Sequence, residues 1–118
     1  IDKTGDFRGG IIIPGPELSS KSLQIETDKL PQIRINPPAK EWGFSTEECI
    51  NCGIWYGYKT IIADLIARAK ISAGSSDFFT VAAGGFDLFW KSEFGFIDLY
   101  DPNFTLKGAG DIYFSTKE

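Results

Sequence analysis

Gly84 and Gly85 follow the apolar run Phe78 to Ala82 and precede a short helical pattern from Phe86 to Ser92. Side-chain-free positions at the carboxyl end of a buried strand let the backbone approach a nucleotide closely. A plain tight turn fits the same pair. Thr27 ends a helical stretch, where its hydroxyl can donate to a carboxylate or accept from an amide. On sequence alone, a bond to its own backbone is the favoured reading. Asp87, Asp98, Asp101 and Asp111 could hold Mg²⁺ or act as a base, yet each sits where caps, turns and solvated faces occur. Cys49 and Cys52 form a Cys-x-x-Cys, half of a zinc site, but the chain has no histidine to complete one. Their spacing inside a helical pattern predicts two small packing residues instead.

The elements that would position these groups can be read in chain order. Lys3-Thr4-Gly5-Asp6 reads as a tight turn with Gly5 at positive φ, and Phe7 to Ile13 as the returning strand of a hairpin. Gly9 and Gly10 fall in that strand, beside a bulge or a close approach of backbone. Pro14-Gly15-Pro16 stops the strand, and Pro16 pre-sets φ for a helix over Glu17 to Lys29 with Leu23 and Ile25 inward. Asn36-Pro37-Pro38-Ala39-Lys40 is a loop. Ser45-Thr46-Glu47-Glu48 has the form of a capping box and opens the longest helix, through Ser72. Ile50, Ile54, Tyr58, Ile61, Leu65 and Ala69 recur at the period of one helical face, widened by Ile62 and Ile66. A strand over 77–83, an edge strand from Phe96 to Leu99, an Asp101-Pro102 turn and a helix from Thr105 to Phe114 complete the pattern. Strands alternating with helices predict a single three-layer α/β domain.

Composition bounds the class. With 118 residues, 42% of them hydrophobic and 24% charged, the chain is a globular domain rather than a disordered tail. A net charge of −4 with scattered Lys and Arg argues against a nucleic-acid face. No apolar run is long enough to span a bilayer. A cytoplasmic protein is therefore the expectation. The late aromatics Phe78, Phe79, Phe86, Phe89, Trp90, Phe94 and Phe96 are expected in a core or an interface.

Four strings in one order carry a resemblance. They are Gly9-Gly10-Ile11-Ile12-Ile13-Pro14-Gly15 with Thr27-Asp28-Lys29-Leu30-Pro31, then Gly43-Phe44-Ser45-Thr46-Glu47-Glu48 running on to Gly57. Ala83-Gly84-Gly85 and Asp101-Pro102-Asn103-Phe104-Thr105-Leu106-Lys107-Gly108 follow. Together they resemble the type III pantothenate kinases, in the second half of such an enzyme. The resemblance implies a ribonuclease-H-like, actin-like (ASKHA) lobe with a mixed sheet and flanking helices. It also implies ATP-dependent phosphorylation of pantothenate, the first step toward coenzyme A, in the cleft between two such lobes.

The resemblance further implies roles for individual residues. Thr27 would contact pantothenate of the neighbouring subunit, Gly84 and Gly85 would sit beside ATP, and Gly9 and Gly10 would line the cleft floor with backbone. The catalytic and phosphate-holding motifs of the family, and the ligands for Mg²⁺ and a monovalent cation (K⁺ or NH₄⁺), would lie on an N-terminal lobe whose strings do not occur here. The long helix over 46–72 would pair with its twin in a homodimer. Asp28 and Ala83 depart from the family's alanine and threonine. Two other readings share the pattern: a non-catalytic accessory relative of the Bvg accessory factor type, and the dimerisation lobe of a split enzyme.

Overall fold

The computed structural model describes residues 1–74, 77–86, 89 and 95–117. Its elements are α1 (Pro16–Ile25), α2 (Thr46–Ser72), β1 (Val81–Ala83), β2 (Leu99–Asp101) and α3 (Phe104–Ser115). The two strands pair in parallel, with Val81 opposite Leu99, Ala82 opposite Tyr100 and Ala83 opposite Asp101. This is a small mixed α/β domain in which helices accompany a short parallel sheet.

The longest element is α2. Ser45 Oγ accepts the Glu48 amide at 3.2 Å, while Glu48 Oε2 accepts the amides of Ser45 at 3.2 Å and Phe44 at 2.7 Å. The orphan donors at the helix start are thus satisfied reciprocally. Gly43 lets this cap close, because a Cβ there would stand 2.2 Å from the Cys49 amide nitrogen. Both thiols donate to the same loop, Cys49 Sγ to the Gly43 carbonyl at 3.3 Å and Cys52 Sγ to the Lys40 carbonyl at 3.6 Å. Both cysteines are free; Cys52 is buried and packs as its spacing predicted, whereas Cys49 is exposed.

Ile35, Ile50, Ile54, Trp55 and Phe89 form the core, with Leu23, Leu30, Ile33, Tyr58, Ile62, Phe86, Phe96 and Ile97 packed around it. Trp55 meets Phe89 edge to face at 5.1 Å between ring centroids, and Phe86 lies 5.0 Å from Phe89. Such aromatic contacts add stabilisation beyond their buried area. The segment before α2 is held by Asn51, whose side chain accepts the Asn36 amide and donates to the Asn36 carbonyl, both at 2.9 Å.

Several expected elements come out differently. Phe7–Ile13 forms no strand, and Ile11, Ile12 and Ile13 are 68%, 98% and 40% exposed. Only the turn of the expected hairpin forms: Gly5 has φ +88, and Asp2 donates its amide to Asp6 at 3.0 Å. A strand needs a partner for its backbone, and no described residue offers one to this segment.

The helix expected to Lys29 ends at Ile25. Ile25 is exposed, and the buried residue of α1 is Ser20. Its hydroxyl donates to the Ile33 carbonyl at 3.0 Å and accepts the Ile33 amide at 3.2 Å, so a small polar residue docks the following chain.

The strand expected over 77–83 shrinks to three residues because side chains replace the ladder. Asp98 Oδ2 accepts the Thr80 amide at 2.6 Å, and the Asp98 amide donates to the Thr80 carbonyl at 3.0 Å. β2 therefore begins at Leu99 instead of Phe96. The helix expected from Phe86 to Ser92, with Asp87, Trp90 and Phe94, lies largely outside the described residues. α3 forms as expected but buries none of its residues.

Candidate functional site

The glycine turn at the end of β1 is the most constrained of the predicted site segments. Gly84 has φ +89, which favours glycine. Its carbonyl accepts the Tyr100 hydroxyl at 3.1 Å, so β2 fixes the turn that leaves β1. A Cβ on Gly85 would meet nothing within 4 Å, so packing in this chain does not explain the missing side chain there. Phe86 follows at φ +69, an uncommon conformation for a residue with a Cβ. Its ring is held between Trp55, at 6.2 Å, and Phe89, which over-determines the backbone. Sequence reasoning found the glycines but missed Phe86 and Tyr100, whose roles depend on contacts distant in sequence.

Thr27 lies just beyond α1. Its hydroxyl donates to the Leu23 carbonyl at 2.5 Å and accepts the Leu30 amide at 3.3 Å. Its hydrogen-bonding capacity here serves the turn into Leu30-Pro31, as the favoured reading of the sequence has it. Gly9 adopts φ +117, and a Cβ there would meet nothing within 4 Å. Gly10 lies against the Phe7 ring at an ordinary 3.6 Å. No close approach of this chain's own backbone requires either glycine to lack a side chain, although the conformation at Gly9 favours glycine.

The described carboxylates are structural. The Thr80 hydroxyl and amide beside Asp98 hold its carboxyl below the ordinary range. Lys107 Nζ, 2.6 Å from Asp101, and the Asn103 amide do the same for Asp101, which opens the turn into α3. Among the described residues no group of three or more Asp, Glu, Cys or His is placed to hold a metal ion. No step through Mg²⁺ or a monovalent cation is derived from these side chains. Among the same residues, no helix is long and apolar enough to cross a membrane.

A separate cavity of about 120 Å³ lies beside the start of α2, lined by Pro37, Pro38, Trp42, Glu48, Asn51 and Cys52 among others. Its volume suits a single small side chain, and it shares only the α2 cap with the elements above.

These observations define an α/β domain in which a parallel strand runs into a fixed glycine turn. The sequence model of the type III pantothenate kinase family matches residues 1–68, more than half of the chain. The chain belongs to the type III pantothenate kinase family. It is 33% identical over 113 residues to the type III pantothenate kinase of Endomicrobium trichonymphae, covering 96% of this chain and 43% of that protein. The corresponding enzyme of Agathobacter rectalis is 34% identical over 113 residues, with 96% and 44% covered. That of Methylacidiphilum infernorum is 36% identical over 121 residues, with 99% and 45% covered. The chain thus spans less than half the length of the curated relatives it matches.

Proposed function

We propose that this chain is one lobe of an ATP-dependent pantothenate kinase acting in the cytoplasm. In this reading it has the actin-like fold, supplies part of the substrate and nucleotide cleft, and forms a homodimer through α2. The observation that carries the proposal is the family match over residues 1–68, joined by relatives named as type III pantothenate kinases along nearly the whole chain. Phosphoryl transfer depends on positioned phosphates and neutralised charge more than on covalent help from protein. The backbone of Gly84 and Gly85 faces the nucleotide, consistent with the open space that a Cβ on Gly85 would meet among the described residues. The backbone of Gly9 and Gly10 lines the cleft floor.

Thr27 serves pantothenate in the neighbouring subunit by exchanging its bond to Leu23 for one to substrate. Mg²⁺ and K⁺ or NH₄⁺ are held by residues beyond this chain. The 118-residue chain on its own is therefore inactive, because positioning supplies most of the catalysis.

In the complete enzyme, Thr27→Val keeps the shape and removes the hydroxyl, with its bond from the Leu30 amide and its bond to substrate, weakening pantothenate binding by about 0.5–3 kcal/mol while ATP binding changes less. Steady-state kinetics with each substrate varied in turn reads the difference. Equal KM values for pantothenate in both proteins would leave Thr27 a turn residue only. Absence of ATP-dependent pantothenate phosphorylation in the unaltered complete protein would remove the kinase reading and favour a non-catalytic relative.

A further inference from the structure

Cys49 and Cys52 lie one turn apart near the start of α2. Their thiols share a task outside the helix, because each donates to a carbonyl of the segment leading into the cap, Cys49 to Gly43 and Cys52 to Lys40. Each bond needs the proton on its sulfur. A disulfide has no such proton, so one covalent event between the two sulfurs would release that segment at both points. Among the described residues no third ligand joins the pair to hold a metal ion.

Access differs between the two sulfurs, since Cys49 is exposed and Cys52 is buried. An oxidant arriving from solvent meets Cys49 first. Cys52 can follow, because it lines the cavity of about 120 Å³ together with Pro37, Pro38, Lys40 and Trp42, and that space lets its thiol turn from the Lys40 carbonyl. Geometry sets the strain. Residues three apart on a helix have Cβ atoms about 5–6 Å apart, whereas a disulfide holds them about 3.5–4.5 Å apart. Closure therefore draws the turn in by about 1–2 Å. A strained bond is easily reduced, which suits a reversible couple. Gly43 meets the movement directly, since a Cβ there would lie 2.7 Å from the Cys49 Cα.

We propose that Cys49 and Cys52 are a modification site, a reversible dithiol–disulfide couple oxidised by small disulfides such as glutathione disulfide, and that its oxidation loosens the segment from Lys40 to Ser45. The Cys49 thiolate attacks one sulfur of glutathione disulfide, forming a Cys49–glutathione bond as the glutathione S–S bond breaks and one glutathione thiolate leaves. The Cys52 thiolate then attacks Cys49 Sγ, and the second glutathione leaves with the bonding pair. The protons of the two protein thiols end on the two departing glutathiones, and two electrons have passed to glutathione disulfide. Reduced glutathione reverses the sequence. The couple stands on the geometry of α2 and its cap and does not depend on the kinase reading.

The test equilibrates the full 118-residue chain in glutathione buffers of graded oxidised-to-reduced ratio, reads the sulfurs by mass spectrometry and follows amide hydrogen exchange by NMR. The expected product is a monomer lighter by two hydrogens, with Cys49 linked to Cys52 in its peptide map. In that product the Phe44 and Ser45 amides should exchange at least about tenfold faster than in the reduced chain, while the amides around Ile62 are unchanged. Excess reduced glutathione should restore both readings. Cys52→Ser keeps a donor for the Lys40 carbonyl and should stop with one glutathione on Cys49; Cys52→Ala serves the same purpose if the serine variant does not fold. Cys49→Ser leaves only the buried thiol and should react at least about tenfold more slowly.

Two free thiols at every buffer ratio overturn the proposal. So does an unaltered chain that retains glutathione on Cys49 or links to a second chain through it. A disulfide between Cys49 and Cys52 that appears only after urea has unfolded the chain overturns it too, because the couple must close within the folded helix. A disulfide formed in the folded chain with unchanged exchange at Phe44 and Ser45 overturns the release of the cap segment.

Discussion

The two halves of α2 are built differently. From Thr46 to Tyr58 the helix is fixed on all sides: capped by Ser45 and Glu48, approached by Gly43, tied to Asn36 by Asn51, and buried through Ile50, Cys52, Ile54 and Trp55. From Lys59 to Ser72 no residue is buried, Ile61 is 42% exposed and Ile71 is 80% exposed. An Arg68–Asp64 ion pair lies in solvent there and adds little. One apolar stripe in sequence therefore supplies buried core residues in its first half and, in its second, Ile62 packed against that core with the remaining residues half-buried or exposed. A helical period reports which residues share a face but not what covers them.

If that division is right, damage to the first half should unfold the chain, and damage to the second should change only its associations. The largest effect is expected from Trp55→Ala, which empties the centre of the aromatic cluster. It should cost about 3–5 kcal/mol, read as a fall in the urea midpoint. A loss below about 1 kcal/mol would mean that the first half is not the organising core. Gly43→Ala comes next, because the added methyl would meet backbone atoms of Glu48 and Cys49 that cannot rotate away. A destabilisation of about 1–3 kcal/mol is expected, with loss of the joint acid titration of the Phe44 and Ser45 amides described below for the cap. Unchanged stability would show that the loop can swing clear.

How much of this was legible in the sequence follows from where each element's partners lie. α2 could be read to the residue because its start signal, Ser45-x-x-Glu48, is satisfied within four residues. α3 could be placed within a residue, and Gly5, Gly84 and the buried Cys52 behave as their local patterns indicate. The strand expected at Phe7–Ile13 does not form, since no described residue offers its backbone a partner. β1 came out short and β2 shifted, overlapping the expected Phe96–Leu99 strand only at Leu99, because Thr80 and Asp98 complete the pairing there through side chains, which no alternation of apolar residues reveals. Ser20 was hidden for a related reason: a serine's burial depends on the Ile33 backbone, which lies 13 positions away. In the candidate site segments, the turn at Gly84 and the local bonding of Thr27 could be read. Phe86 and Tyr100 could not.

The second half of α2 offers a sharper test. Ile61→Asp places a charge on the exposed part of the stripe, so the isolated chain should keep its urea midpoint within about 0.5 kcal/mol. If that face meets its twin, as proposed, sedimentation should show the dimer weakened at least about tenfold. Ile54→Ala should do the reverse in kind, lowering stability by about 2–5 kcal/mol. A wild-type chain that stays monomeric at high micromolar concentration would remove the homodimer through this face. So would an Ile61→Asp chain that dimerises normally.

The smallest effect expected concerns pH and belongs to the first half alone. Glu48 accepts the amides of Phe44 and Ser45, and these bonds hold its carboxyl below its ordinary value of 4.5. A carboxylate whose pKa is depressed by folding contributes stability that is fully present above its unfolded pKa, and that is lost as pH falls through the folded value. Acidification below 4.5 should therefore release the cap and fray the first turn of α2, while the turn from Ile71 to Gly74 at its other end is unaffected by this group. The Phe44 and Ser45 amide resonances should titrate together with a midpoint below 4.5. Glu48→Gln keeps an acceptor for those amides but has no proton to gain, so in that variant the titration should vanish with the helix start still ordered. A midpoint at or above 4.5 in the unaltered chain would mean that the cap does not hold Glu48, and that the firmness of this half of α2 comes from its core contacts alone.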